Sequence, residues 1–220
     1  KRQAEKYGAD ALRFNLITGN SPGNDTRFYT EKCEAMRNFA NKIWNASRFV
    51  MMNLTIDKCE LPAADALAPE DKWVLSKLNT LVKEVTENLD AYEIGVASAK
   101  VYDFLWDTYC DWYIELTKTR LQGEDEGAKL AAQNVLCFVL TELLKLLHPF
   151  MPFITEEIYQ ALPGSGETIM TQLWPGNENM KIWAEDCADF EKLMDYIKAV
   201  RTMRAEMNVH PAKKTSMVIE

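Results

Sequence analysis

EAMRNFANKIWNASRFVMMNL, residues Glu34 to Leu54, is the stretch on which the reading of this chain turns. Wound as one helix at about 100° per residue, it puts Met36, Ala40, Ile43, Ser47, Val50 and Leu54 along one side, the spacing of a stripe that packs on a core. Arg37, Asn41, Trp44 and Arg48 then share an arc of roughly 60° pointing away from that stripe, flanked by Asn38 and Asn45. The outward face combines forked cations, amides with paired donor and acceptor atoms, and an indole able to stack on an unpaired base. Those are the groups with which a protein recognises single-stranded RNA. A plainer arrangement fits the same letters: Trp44 on the wide edge of the apolar stripe, with the two arginines solvated or paired with Glu31 and Glu34.

Working outward, Thr30 reads as the N-cap of this helix, which runs to Leu54. Before it, Asn20 to Asp25, NSPGND, is a turn, and residues 1–19 read as one amphipathic helix closed by a glycine. After it, Asp57 to Pro69 is a polar loop. Pro69 suits the first position of the next helix, where its missing N–H costs nothing, and Trp73, Leu75, Leu78, Leu81, Val82 and Val85 recur at helical spacing as far as Asn88.

Tyr92 to Leu121 is helical too, with Tyr109 marking where it would break. Its aromatics, Tyr92, Tyr102, Phe104, Trp106, Tyr109, Trp112 and Tyr113, fall at three-to-four spacing and are read as bundle core. Ala128 to Leu147 is apolar around most of its circumference, which marks the most buried helix, and His148-Pro149 ends it. A short helix from Pro152 to Leu162 follows, then an irregular piece in which Ile169 to Trp174 is extended, with Trp174 packing back on the bundle. A last helix from Cys187 to Met207 carries Phe190, Met194, Ile197, Val200 and Met203 inward, and the closing VHPAKKTSMVIE begins like a strand. The expected fold is all-α, a helical bundle with one small irregular or extended segment. Charged, uncapped KRQAEKYG at one end and an unpaired strand at the other lead to the expectation that both ends were cut inside a larger protein.

Five cysteines, Cys33, Cys59, Cys110, Cys137 and Cys187, lie far apart with no C-x-x-C pair, and the chain has only two histidines. Neither a zinc site nor a disulfide framework is suggested. No nucleophile–base spacing or phosphate loop appears, and His148 reads as a helix-ending residue near the last carbonyls rather than a catalytic base, so the expected catalytic and metal residues are none. The apolar runs, such as Val135 to Leu140, fall short of the ~20 residues of a membrane span, and the expected setting is cytoplasmic with no membrane partner. A net charge of −8 argues against a general nucleic-acid binder but leaves room for a local basic patch, because the acids cluster in Glu60 to Asp71, Glu124 to Glu126 and Glu185 to Glu191.

Several stretches carry a family resemblance. KYGADALRF at Lys6 to Phe14, RNFANKIWNASRF at Arg37 to Phe49, DWYIELTK at Asp111 to Lys118 and HPFMPFITEEIY at His148 to Tyr159 resemble the class I aminoacyl-tRNA synthetases for valine, isoleucine and leucine. TGNSPGNDTRF at Thr18 to Phe28 and VRTMRAEMNVHPAKK at Val200 to Lys214 point to valyl-tRNA synthetases. The resemblance covers nearly the whole chain. It implies an anticodon-binding domain at residues 34–180, preceded at 1–33 by the end of a catalytic region that contacts the tRNA stem, and followed at 181–220 by a C-terminal helix and the start of a further region.

It further implies that the helix holding Arg37, Asn38, Asn41, Trp44, Asn45 and Arg48 meets the anticodon loop of tRNA(Val), whose anticodons share A in the middle position and C in the third. Arg2, Lys6 and Arg13 would touch the tRNA stem, or else stand as solvated charges. The KMSKS-type loop, the HIGH-type signature and the editing domain do not occur in this sequence. The implied reading is that this chain is no enzyme by itself, needs no cofactor, and leaves ATP and magnesium to the absent catalytic domain of a parent valine–tRNA ligase that is a monomer. Two alternatives stand beside it: the same domain of an isoleucyl-tRNA synthetase, and a non-enzymatic helical scaffold for protein partners.

Overall fold

The computed structural model describes residues 2–18, 27–176, 182–210, 212–214 and 216. The helices are α1 (Arg2–Tyr7), α2 (Ala9–Ile17), α3 (Thr30–Asn53), α4 (Pro69–Asp90), α5 (Ile94–Asp103), a π-helical stretch (Phe104–Tyr113), α6 (Ile114–Leu121), α7 (Glu126–Leu147), α8 (Pro152–Gln160) and α9 (Ala184–Glu206). Among the described residues there is no strand, and the all-α bundle is as expected. α7 sits at its centre with α3, α4, α5, α6 and α8 against it. By length and composition α7 could cross a membrane, despite the short apolar runs noted above; here it is a core helix, its apolar surface met by protein.

Local chemistry explains most element ends. The first helix is not one but two, because Gly8 takes φ +92°, a conformation open to glycine and costly for other residues. Asp10, just past the break, is buried and accepts from the Phe153 and Ile154 amides at 3.3 and 2.7 Å, so it caps α8 from far away in sequence. Thr30 is the first residue of α3 rather than its cap; Tyr29 precedes it and makes no side-chain cap bond. Pro69 opens α4 as expected, and the Ala68 amide is held by the Asp71 carboxylate at 3.0 Å. Asp125 caps α7 through the Ala128 amide at 3.0 Å, two residues ahead of the expected start.

The inward stripe of α3 is Cys33, Phe39, Ile43, Ser47 and Val50, with Met36, Ala40 and Leu54 half-buried. Phe39 was absent from the sequence-derived stripe; it packs against Phe14 and Tyr102 at ring-centroid distances of 5.5 and 4.4 Å. Phe14 of α2 thereby enters the same core as α3 to α8.

The aromatic stretch departs from expectation for a geometric reason. Ile114 donates to the Tyr109 carbonyl five residues back, the π-helical pattern, which puts more than four residues in each turn. Phe104, Leu105, Tyr109 and Tyr113 face inward at that longer spacing, while Trp106 and Trp112 are only half-buried. Tyr92 is not core at all: it closes α4 with φ +60° and is exposed.

Three further expectations are corrected. Ile169 to Trp174 is not extended but opens with a 3₁₀ turn, Ile169–Thr171; Trp174 does pack back, donating to the Thr86 hydroxyl at 2.9 Å. In α9, Phe190 and Met194 are buried, Ile197 and Val200 are half-buried, and Met203 is exposed. Past α9 the Arg204 guanidinium gathers the His210 and Lys213 carbonyls at 3.1 and 2.8 Å, folding the described residues there into a turn instead of a strand. The NSPGND turn and Gly19 lie outside the described residues.

Candidate nucleic-acid interface

The outward face of α3 is built by the burial of its opposite side. With Phe39, Ile43, Ser47 and Val50 fixed in the core, the helix has no freedom to rotate, and Asn38, Asn41, Trp44, Asn45 and Arg48 are all exposed on its far side. Trp44 keeps 39 % of its surface open, so the indole is a surface group and not the edge of the core. Arg48 has no ion pair among the described residues. Arg37 is half-buried and differs: it pairs with Glu34 at 3.1 Å and lies over the Tyr7 ring at 5.9 Å, as the plainer reading of its charge had it. The face therefore offers two amides, Asn41 and Asn45, beside an indole and one unengaged guanidinium, with a third amide at Asn38.

Along the flank of α3, cations lie on aromatic rings. Lys42 sits 3.7 Å from the Trp106 ring centroid and pairs with Asp111 at 2.7 Å, Lys118 lies 5.5 Å over Phe49, and Lys198 and Arg201 approach Trp112 at 5.7 and 5.2 Å. The sequence reading missed this row, because three-to-four spacing hides Trp106 and Trp112 in the core. The signal was present in the two tryptophans flanking a segment of acids and tyrosines, but only the π-helical register brings them out.

The stem candidates separate. Arg13 spends its guanidinium inside the molecule, donating to the Phe150 carbonyl from Nε at 3.3 Å and to the Pro149 carbonyl from Nη2 at 3.2 Å. It ties α2 to the sharp connection before α8. Lys6 lies over the Tyr7 ring at 4.8 Å with its ammonium in solvent, and Arg2 is exposed.

The most concentrated charge in the fold is structural. Asp71 is fully buried and accepts from the Tyr113 hydroxyl at 2.6 Å and from both terminal nitrogens of Arg120 at 2.8 and 2.5 Å. Glu70 stands 3.0 Å from Arg120 Nε, near enough for charge attraction though not aligned as a hydrogen bond. Burial opposes the charge on Arg120, but the carboxylates prevail and raise its pKa; burial and then Asp71 push the Tyr113 phenol well above its usual range. His148 ends α7 with Nδ1 2.7 Å from the Thr155 hydroxyl, and burial lowers its pKa. Among the described residues no three His, Cys, Asp or Glu side chains are grouped to hold a metal ion.

The family model for the anticodon-binding domain of tRNA ligases matches residues 71–219. This chain belongs to that family. The domain so defined runs from the buried Asp71 at the start of α4 past the end of α9, and α3 lies just ahead of it. Relatives cover the rest: the valine–tRNA ligase of Clostridium acetobutylicum is 55 % identical over 219 residues, 98 % of this chain, and that of Bacillus cereus is 49 % identical over 217 residues, again 98 %. The chain spans about a quarter of the length of these relatives, 24 and 25 %. In fold it is similar to an Agrobacterium radiobacter K84 LeuRS–tRNA–LeuAMS complex, with TM-score 0.60 and 21 % identity over 84 % of this chain and 21 % of that one. It is also similar to a Mycobacterium tuberculosis methionyl-tRNA synthetase, with TM-score 0.59 and 22 % identity over 71 % of this chain and 32 % of that one.

Proposed function

We propose that this domain recognises the anticodon loop of valine tRNA and positions that tRNA for ATP-dependent aminoacylation by a valine–tRNA ligase. The observation that carries the reading is the outward face of α3. Asn38, Asn41, Trp44, Asn45 and Arg48 stand exposed on a helix whose other side is locked in the core, within a chain about half identical to valine–tRNA ligases along 98 % of its length. An unpaired base can stack on Trp44 while the amides and Arg48 bond its edge or the neighbouring phosphate. Arg37, already paired with Glu34, would have to exchange that partner for RNA. Lys6 and Arg2 remain open to backbone contact, whereas Arg13 acts within the fold. ATP and magnesium belong, on this reading, to the part of the relatives that the chain does not span; the protein works in the cytoplasm, as a monomer.

The test is fluorescence anisotropy of a labelled anticodon stem-loop carrying the shared A and C, titrated at low salt beside the same loop with the middle A changed to G. Preference for the A-containing loop, lost on raising ionic strength and weakened by Arg48→Ala without change in melting temperature, is the expected result. Equal binding to both loops would refute base reading. Binding unaffected by Arg48→Ala would remove α3 from the interface, and a large loss of stability in that variant would make Arg48 structural.

A further inference from the structure

The Thr55 to Pro69 connection is pinned along α7 by side chains. Gln133 Oε1 accepts from the Thr55 amide and hydroxyl, both at 3.1 Å, and Asn134 Oδ1 accepts from the Glu60 amide at 2.8 Å. Between these anchors Cys59 lies over the helix with its Sγ 3.5 Å from the Asn134 carbonyl. Side chains on a helix lean toward its N-terminus, so the residue that covers the Asn134 turn is the one three positions later, Cys137. The two thiols share a hydrogen bond. They differ in access: Cys137 is sealed in the core, while Cys59 is half-buried and lines a cavity of about 210 Å³ beside Tyr159, Glu142 and Lys145. That cavity admits a small oxidant to one sulfur and not to the other.

We propose that Cys59 and Cys137 form an oxidation-responsive dithiol that closes to a disulfide in the presence of a hydroperoxide. In the first step the Cys59 sulfur attacks the outer peroxide oxygen: an S–O bond forms, the O–O bond breaks, and the thiol proton leaves with the alkoxide as an alcohol. In the second step the Cys137 thiolate attacks the Cys59 sulfenic acid. The S–S bond forms, the S–O bond breaks, and hydroxide leaves with the Cys137 proton as water. The dithiol loses two electrons and the hydroperoxide gains them. The shared hydrogen bond and burial raise the Cys59 pKa, whereas the bond from Cys59 lowers that of Cys137. Cys137 is thus suited to the resolving role, and the first step is slow at neutral pH and accelerates as pH rises. The other half-buried thiols are less ready: burial pushes Cys110 up to about 12, with nearby Lys42 only partly offsetting it, and Cys187 has no sulfur neighbour among the described residues. The product would fasten the segment that leaves α3 to the central helix.

The experiment treats the reduced 220-residue chain with hydrogen peroxide and maps its peptides without reduction. Expected are a Cys59–Cys137 crosslink, a mass lower by two hydrogens, reversal by a dithiol, and a higher melting temperature in the oxidised form. Cys137→Ala, checked for helicity by circular dichroism, should stop at a Cys59 sulfenic acid that a dimedone probe labels, with no rise in melting temperature. Free Cys59 and Cys137 in peptides where Cys110 or Cys187 is already oxidised would overturn the proposal. So would overoxidised Cys59 without a bridge, or bridges only between chains. The wild-type map decides the matter even if the variant fails to fold.

Discussion

Asp71→Ala should be among the most damaging single changes in this domain. It removes the acceptor for the fully buried Tyr113 hydroxyl, for two Arg120 nitrogens and for the Ala68 amide that starts α4. Losing one partner of a buried ion pair costs about 3–5 kcal/mol, because the remaining charge stays buried. Glu70 remains 3.0 Å from Arg120 and offsets part of this, but the orphaned Tyr113 hydroxyl adds roughly 1–3 kcal/mol. A net loss of about 4 kcal/mol, at roughly 2–4 °C per kcal/mol for a chain of this size, lowers the melting temperature by about 8–16 °C. Thermal unfolding followed by circular dichroism measures it directly. Arg120→Met supplies the cycle: with the guanidinium gone, Asp71→Ala should cost much less than in the wild-type background, leaving a coupling of about 2–3 kcal/mol. A fall below 3 °C for Asp71→Ala, or additive losses in the double variant, would show that the four contacts are not coupled and that the burial of this carboxylate is incidental.

Three further outcomes follow from the same geometry. Trp44→Ala should leave the melting temperature within a few degrees, since the indole is 39 % exposed, and weaken anticodon-loop binding by about 1–3 kcal/mol of lost stacking in the anisotropy titration; unchanged binding would remove the indole from the interface. Asp10→Ala, which uncaps α8 at Phe153 and Ile154, should cost about 1–2 kcal/mol in urea unfolding, and an unchanged midpoint would mean that water replaces the cap at no cost. Because burial holds the His148 pKa below its ordinary value, the unfolded chain binds the proton first. Stability from this group is then complete above pH of about 6.5 and falls as pH drops through the lowered folded-state pKa; the slope should flatten in His148→Gln, and an equal slope in both proteins would refute the assignment.

The helices were legible because their causes are local. Apolar spacing in α3, α4 and α7, proline at the start of α4 and the acid ahead of α7 all act within a few residues, and so the sequence by itself determined the all-α bundle, its central helix and the polar outward face of α3. Family resemblance added what those patterns cannot carry, the RNA partner proposed for that face. Other features depended on partners distant in the chain. Nothing near Asp71 distinguishes it from the solvated acids around it; Arg120, 49 residues away, makes its burial possible. Arg13 looked free for RNA until the fold placed the Pro149 and Phe150 carbonyls beside it, 136 and 137 residues on. Trp106 and Trp112 were assigned to the core by a period of 3.6, and the π-helical turn turned them toward lysines and arginine instead. Periodicity states which face of a segment avoids water. Only the tertiary structure decides which charge is paired, which ring is covered and which thiol finds another, because each of those depends on a group that arrives from elsewhere in the chain.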